Sequence, residues 1–312
     1  MVPTVADSGS LRGFVEASKQ LGHQKPIRYH LKIDTGMGRI GILPRNLDGF
    51  LSDVLTDPVL SRYSQMEGVY THFSKADETE KTHTKAQIGM FRKCVERIRS
   101  RGLSPPMIHS ANSAAIIDSS LLFDPDDWDM INTYRMGISL YGFYPSPDVD
   151  FSAVLPLKPV MSWKTEIVQL KELEVGHTIS YGGEFVTSRH GTKIATLPVG
   201  YADGFRRRLG RQKTSNPSFR VLVRGTEAPI VGRVCMDMCH VDVSHIPNVA
   251  TGDEVVLMGQ QGDLCITAEQ MAQKLKTINY EITCLVGKRV PRLYQRNGCI
   301  TGLKSIISDT NL

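Results

Sequence analysis

Long apolar runs are missing from this sequence. No segment approaches the roughly 18 uninterrupted apolar residues of a membrane-spanning helix. The start, MVPTVADSGSLRG, has neither the basic stretch nor the apolar core of a secretory leader, so a cytosolic protein is expected. Aromatic residues are scarce, at 7% with two tryptophans, and the six cysteines form no CxxC pair. Cys94, Cys235, Cys239, Cys265, Cys284 and Cys299 are scattered through apolar segments, which predicts reduced thiols in a reducing compartment. If CMDMCH is a strand, Cys235 and Cys239 share a face beside His240, but their spacing exceeds that of a zinc knuckle; buried thiols and no metal are expected. Internal repeats and low-complexity tracts are also absent.

What is present is ordinary globular material. The chain has 312 residues, 41% of them hydrophobic, with 37 Lys+Arg against 32 Asp+Glu for a net charge of +5. At roughly 100–200 residues per domain this suggests two domains and a substantial core. A pI near 8.8 raises the question of nucleic acid, as does the basic run Arg206, Arg207, Arg208, Arg211 and Lys213. Without interleaved aromatics that run reads as a solvated surface, and no nucleic-acid partner is expected.

The sequence changes grammar near residue 150. Before it, strand-like and helix-like segments alternate: IRYHLKI (27–33), EGVYTHF (67–73), a helix over about 80–101, PMIHSANSAAII and INTYRMGISLYGF. In the helix Ile88, Phe91, Val95 and Ile98 form one apolar stripe, with Gly102 as its C-terminal stop. Repeating βα units predict a parallel sheet or barrel. After it come closely spaced strands rich in Val, Ile and Thr, divided by Gly, Pro and Asn turns, and one late helix with Thr267 and Gln270 at capping-box spacing. The expected domains are therefore 1–150, a cofactor-binding part of a βα barrel, and 151–312, mainly β.

Several polar residues fall at the C-terminal ends of the predicted strands: Lys32, Asp34 and Arg39, then His72, then His109, Asn112 and Ser113, then Arg135 followed by Gly137. In a βα barrel that end carries the active site. Asp34 with Gly36 and Gly38 is also compatible with no more than a tight turn. As a set these residues suit an anion: Ser113 and the N–H groups around Gly137 and Ile138 can cradle a phosphate, and Arg39 can hold a carboxylate in a bidentate pair. In the β half, Tyr181, Tyr201 and the pair Met236 and Asp237 lie in turn-bounded segments.

The ordered motifs KIDTGMGRIG, VYTHFSKAD, HSANSAA, RMGISLYG, TISYGGEF, LPVGYADG, VGRVCMDM and VPRLYQR, spanning about residues 27–296, resemble the alanine racemase family of fold-type III pyridoxal-phosphate enzymes. The resemblance implies a (β/α)8 TIM-type barrel followed by a mainly β C-terminal domain, and pyridoxal 5'-phosphate as cofactor. It further implies interconversion of L- and D-alanine by two-base proton transfer at Cα, in a head-to-tail homodimer with shared active sites. Carried over by motif, Tyr181 is the catalytic tyrosine, supplied by the opposite subunit. Arg135 faces the pyridine nitrogen, and Ser113, Gly137, Ile138 and Tyr294 grip the phosphate. Arg39 and the Met236 backbone meet the substrate carboxylate, with Tyr201 and Asp237 near the mouth. His72 and His109 link the tyrosine to Arg135, Asn112 supports, and Lys32 is the position some members carbamylate to position Arg39.

One element of the pattern has no counterpart in these residues. The family's Schiff-base lysine lies on the first barrel strand, in a segment unlike any here, and a βα barrel takes about 250 residues where the part before the β domain has about 150. The expectation is a chain missing roughly 100 residues and three strands, inactive or impaired alone; a non-catalytic racemase-like binding module is the alternative.

Overall fold

The computed structural model describes residues 2–118, 130–148, 152, 155–210 and 218–306. The chain divides into two compact units, Met1–Lys158 and Pro159–Leu312.

In the first unit strands and helices alternate: β1 (Thr4–Val5), α1 (Ser8–Gln20), β2 (Ile27–Lys32), α2 (Leu47–Thr56), α3 (Pro58–Tyr63), β3 (Ser64–Tyr70), α4 (Thr82–Ser100), β4 (Met107–His109) and α5 (Ser113–Ile117). The strands pair in chain order and in parallel, as helical crossovers require. Side-chain polarity places the helices. On β2, Tyr29 and Leu31 are buried in the cluster formed with Leu11, Leu47, Leu51, Leu60, Phe91, Val95 and Ile98, while His30 and Lys32 point to the other face. The stripe of α4 joins that cluster through Phe91, Val95 and Ile98, whereas Ile88 packs beside Phe73 and Ala114. Gly102 follows α4 at φ +81°, a left-handed position suited to glycine.

Two local expectations are corrected. The second strand runs over Ser64–Tyr70 and ends before His72, so EGVYTHF is half strand and half loop. Its pairing with β2 stops at Tyr70, opposite Lys32, the last residue of β2; within it a bulge pairs Tyr29 with Met66 and His30 with Gly68, leaving Glu67 as the extra residue. INTYRMGISLYGF forms no βα unit; it holds one bridge, Thr133 to His109, and a single 3-10 turn at Ile138–Tyr141. Arg135, Gly137 and Gly142 break its regularity, and the turn ends on Gly142 at φ +78°.

The second unit is mainly antiparallel. Its large sheet contains β5 (Trp163–Glu166), β6 (Gln169–Leu173), β9 (Thr192–Leu197), β10 (Arg220–Val223), β11 (Thr226–Val231), β12 (Cys239–Asp242), β13 (Glu254–Gln261) and β14 (Leu264–Ile266). Two hairpins stand outside it, β7 (Thr178–Ile179) with β8 (Phe185–Val186), and β15 (Arg292–Arg296) with β16 (Cys299–Lys304). Two helices follow β14, α6 (Ala268–Leu275) and α7 (Asn279–Leu285). Thr267 and Gln270 make the capping box that opens α6. Strand β12 begins only at Cys239, with Cys235 in the preceding turn, so the two cysteines do not share a strand face. Burial pushes the Cys239 thiol up, keeping it protonated. No metal-ligating cluster occurs among the described residues, and among them no helix is long and apolar enough to cross a membrane. Arg211 and Lys213 lie outside the described residues.

Candidate active site

In the first unit the ends of β2, β3 and β4 converge on a cavity of about 410 Å³ lined by His30, Lys32, Arg39, Tyr70, His72, His109 and Arg135. Its centre is the guanidinium of Arg135. Nη1 donates to His109 Nδ1 at 2.5 Å, and Nη2 donates to the carbonyls of Thr71 and Ser110 at 2.8 and 3.1 Å and lies 3.2 Å from His72 Nδ1. Nη2 thus gives both its N–H groups to backbone carbonyls and Nη1 gives one to His109, and the cation is fixed.

The acceptors around it are kept neutral. Burial holds the His72 imidazole down at about 4, with Arg135, Arg39 and Lys32 adding to the effect. His109 is held at about 3 by burial, then by Arg135 and His30. Tyr70 stacks on the His109 ring at 4.6 Å and 6°. Lys32 is 2% exposed; burial first and Arg39 second push its ammonium down. Asp34 makes the turn: its Oδ1 accepts from the N–H groups of Gly36 and Gly38, both at 3.0 Å. Burial pushes its carboxyl up, but these N–H groups outweigh that and the net direction is down. The exposed Arg39 follows on this loop.

A second group of donors gathers at Ser113. Asn112 caps α5, its Oδ1 accepting from Ala115 N–H at 3.1 Å, and this sets Ser113 at the first helical position. Gly137 N–H at 2.8 Å, Ser139 N–H at 3.3 Å and the Ser139 hydroxyl at 3.0 Å all meet Ser113 Oγ. Ile138 is buried beneath them.

In the second unit Tyr201, Met236 and Asp237 form one constellation. Tyr201 and Ala202 donate their N–H groups to the carbonyls of Cys235 and Met236 at 3.1 and 3.0 Å. Gly200 permits that approach, since a Cβ there would lie 2.2 Å from the Met236 oxygen. Arg289 joins the two segments, donating to Asp203 at 2.6 Å and Asp237 at 2.5 Å. Tyr181 opens the turn between β7 and β8 and is 69% exposed. The turn is anchored by Ser180, at φ +64°, whose hydroxyl donates to the Arg233 carbonyl at 2.6 Å, and by the Arg233–Glu184 ion pair. Tyr294 stands on the β15–β16 hairpin, half exposed, against Gly302.

The residues that sequence reasoning missed are those that orient the others: His30, Tyr70, Ser139, Arg233, Glu184 and Arg289. One signal was available. His30 precedes Lys32 by two residues, so strand periodicity places it on the same face. It bonds His109, with His30 Nδ1 2.8 Å from His109 Nε2.

The chain is similar to known proteins over nearly its whole length. Profiles described as "Alanine racemase, N-terminal domain" and "Alanine racemase, C-terminal domain" match residues 1–145 and 160–294. The alanine racemase of Clostridium tetani is 45% identical over 280 residues, 90% of this chain and 68% of that protein. That of Halothermothrix orenii is 48% identical over 268 residues, 86% of this chain and 65% of that protein. Among solved structures, the alanine racemase of Bacillus anthracis with bound L-Ala-P superimposes with a TM-score of 0.83 at 35% identity, covering 98% of this chain and 74% of that one. The chain thus spans about two thirds to three quarters of the length of these relatives. The four-stranded parallel sheet of the first unit is accordingly an arc of the family's TIM-type barrel, with a β-rich unit after it. Two matched profiles, identities of 45% and 48%, and a shared fold mean that this chain belongs to the alanine racemase family.

Proposed function

We propose that the protein carrying this chain interconverts L- and D-alanine with pyridoxal 5'-phosphate. The observation that carries the reading is the fixed Arg135 cation beside a cavity that also bears Lys32 and Arg39. The family depends on that cofactor, and the donors fit it in two places. Gly137 N–H, Ser139 N–H and the hydroxyls of Ser113 and Ser139 crowd into one small volume, as phosphate oxygens require. The guanidinium suits a ring nitrogen, because it donates a hydrogen bond without giving up its proton. Ser113, Gly137, Ile138 and Tyr294 would hold the phosphate; Arg135 and His72 would meet the ring.

When bound, the cofactor supplies a conjugated ring that accepts the electron pair left at Cα. The chain's own residues do the rest. Arg39 takes the substrate carboxylate in a bidentate grip, aided by the Met236 backbone, with Tyr201 and Asp237 at the mouth. His109 and His72 stay neutral and hold Arg135 in its plane, Asn112 sets Ser113, and Lys32 lies behind Arg39 as a buried amine open to carbamylation. Tyr181 moves the Cα proton on one face. No residue of this chain is assigned the opposite face. The partner is a second copy in a head-to-tail dimer, and the six free thiols support a reducing cytosol.

Racemisation is tested by incubating the cofactor-loaded protein, as its gene encodes it, with L-alanine in heavy water. D-Alanine with deuterium at Cα is the expected product. Cofactor binding without any exchange at Cα would leave a binding module and overturn the catalytic reading.

A further inference from the structure

Helix α4 buries one long polar side chain, Gln87, which is 1% exposed. Its amide oxygen accepts from the Ser74 N–H at 3.0 Å and the Ser74 hydroxyl at 3.3 Å, and its amide nitrogen donates to Thr35 Oγ1 and to the His72 carbonyl, both at 3.2 Å. Two donated and two accepted bonds occupy each of its N–H groups and both lone-pair positions of its oxygen. The orientation is forced, because a backbone N–H only donates and a carbonyl only accepts. Thr35 lies on the loop after β2, which runs on to Arg39; His72 and Ser74 lie on the loop after β3. The two loops touch directly through Thr35 Oγ1 and Thr71 Oγ1, 2.7 Å apart. One amide therefore ties together the loops that carry two walls of the cavity. An apolar residue at the same place would fill the space yet leave a buried carbonyl and a backbone N–H without these partners.

We propose that Gln87 is a positioning residue for the site, clamping the Arg39 loop to the His72 loop so that His72 stays on Arg135. What the loops serve rests on the racemase reading; the clamp itself does not. Gln87→Met keeps the length and removes the bonding groups. The readout is the histidine titration of the cofactor-free protein, followed by NMR on labelled imidazole. In the parent protein burial holds the His72 imidazole down at about 4, with Arg135, Arg39 and Lys32 adding to the effect. The Met variant is expected to move that midpoint upward by about one pH unit or more as water reaches the ring, and in the loaded protein to raise KM for alanine about tenfold with a smaller change in kcat. A folded Met variant with the His72 midpoint unmoved would overturn the proposal and make Gln87 a core residue only. Should that variant fail to fold, Thr35→Val cuts the arm from Gln87 together with the Thr35–Thr71 contact, and Thr71→Val cuts that contact alone. A larger upward shift in Thr35→Val than in Thr71→Val supports the clamp, and equal shifts or none overturn it. A parent protein that racemises nothing would instead count against the proposed reaction, with the titration still deciding the role of Gln87.

Discussion

A histidine nitrogen that accepts from a guanidinium cannot carry a proton of its own. Arg135 Nη1 therefore fixes His109 with its proton on Nε2, which donates to His30 Nδ1 and leaves the His30 proton on Nε2, toward Glu67 at 3.9 Å. The pH consequence follows from the direction of the shifts. Unfolded, both His72 and His109 take up a proton near 6.5; folded, they resist it down to about 4 and about 3. Between those values the unfolded chain binds more protons, so stability is fully present above 6.5 and is lost as pH falls. A loss on the order of 2 kcal/mol per histidine is expected, discounted for the partial exposure of His72. Urea midpoints measured from pH 7 to 4 should show it, and His109→Asn should flatten the slope. A second expectation concerns Tyr181. Replacing it by Phe should slow proton exchange from L-alanine about 10²- to 10⁴-fold, and far more than from D-alanine. Equal loss from both enantiomers would refute a role on one face.

Strands β2 and β3 show how an element serves a site through a residue with no side chain. The bulge at Glu67 sets Gly68 opposite His30, and a Cβ on Gly68 would lie 2.7 Å from the imidazole. The ring lies flat in that space, which is what brings it within bonding distance of His109. Gly68→Ala should displace His30 and cost roughly 1–3 kcal/mol by overpacking, seen in thermal unfolding, and the imidazole signals of His30 and His109 should shift together. Unchanged signals would show that the ring does not depend on the glycine. Helix α4, by contrast, was legible almost residue for residue, because its stripe follows the helical period and Gly102 ends it. The segment around Arg135 reads in sequence as one more βα unit; two glycines and single hydrogen bonds to the 108–113 region decide otherwise.

At the scale of the molecule, the change of grammar near residue 150 meets two compact units divided between Lys158 and Pro159. Each carries part of the proposed site, with Arg135 in the first and Tyr181 in the second. If sites are shared head to tail, a mixed dimer of Arg135→Ala and Tyr181→Phe subunits has one doubly altered site and one intact site. Co-folding the two inactive variants should then restore about a quarter of the parent activity at random assortment. No recovery in a verified mixed dimer would show that each subunit completes its own site.

The sequence by itself determined the family and the order of a βα part before a mainly β part, because hydrophobic periodicity and ordered motifs are local properties of the chain. Only the tertiary structure decided what orients the residues of the candidate site. His30, Gln87, Ser139, Arg233 and Arg289 all lie many positions from the groups they bond. A lone polar residue on a strand or helix gives no sign of its partner until the backbone brings two distant segments within 3 Å.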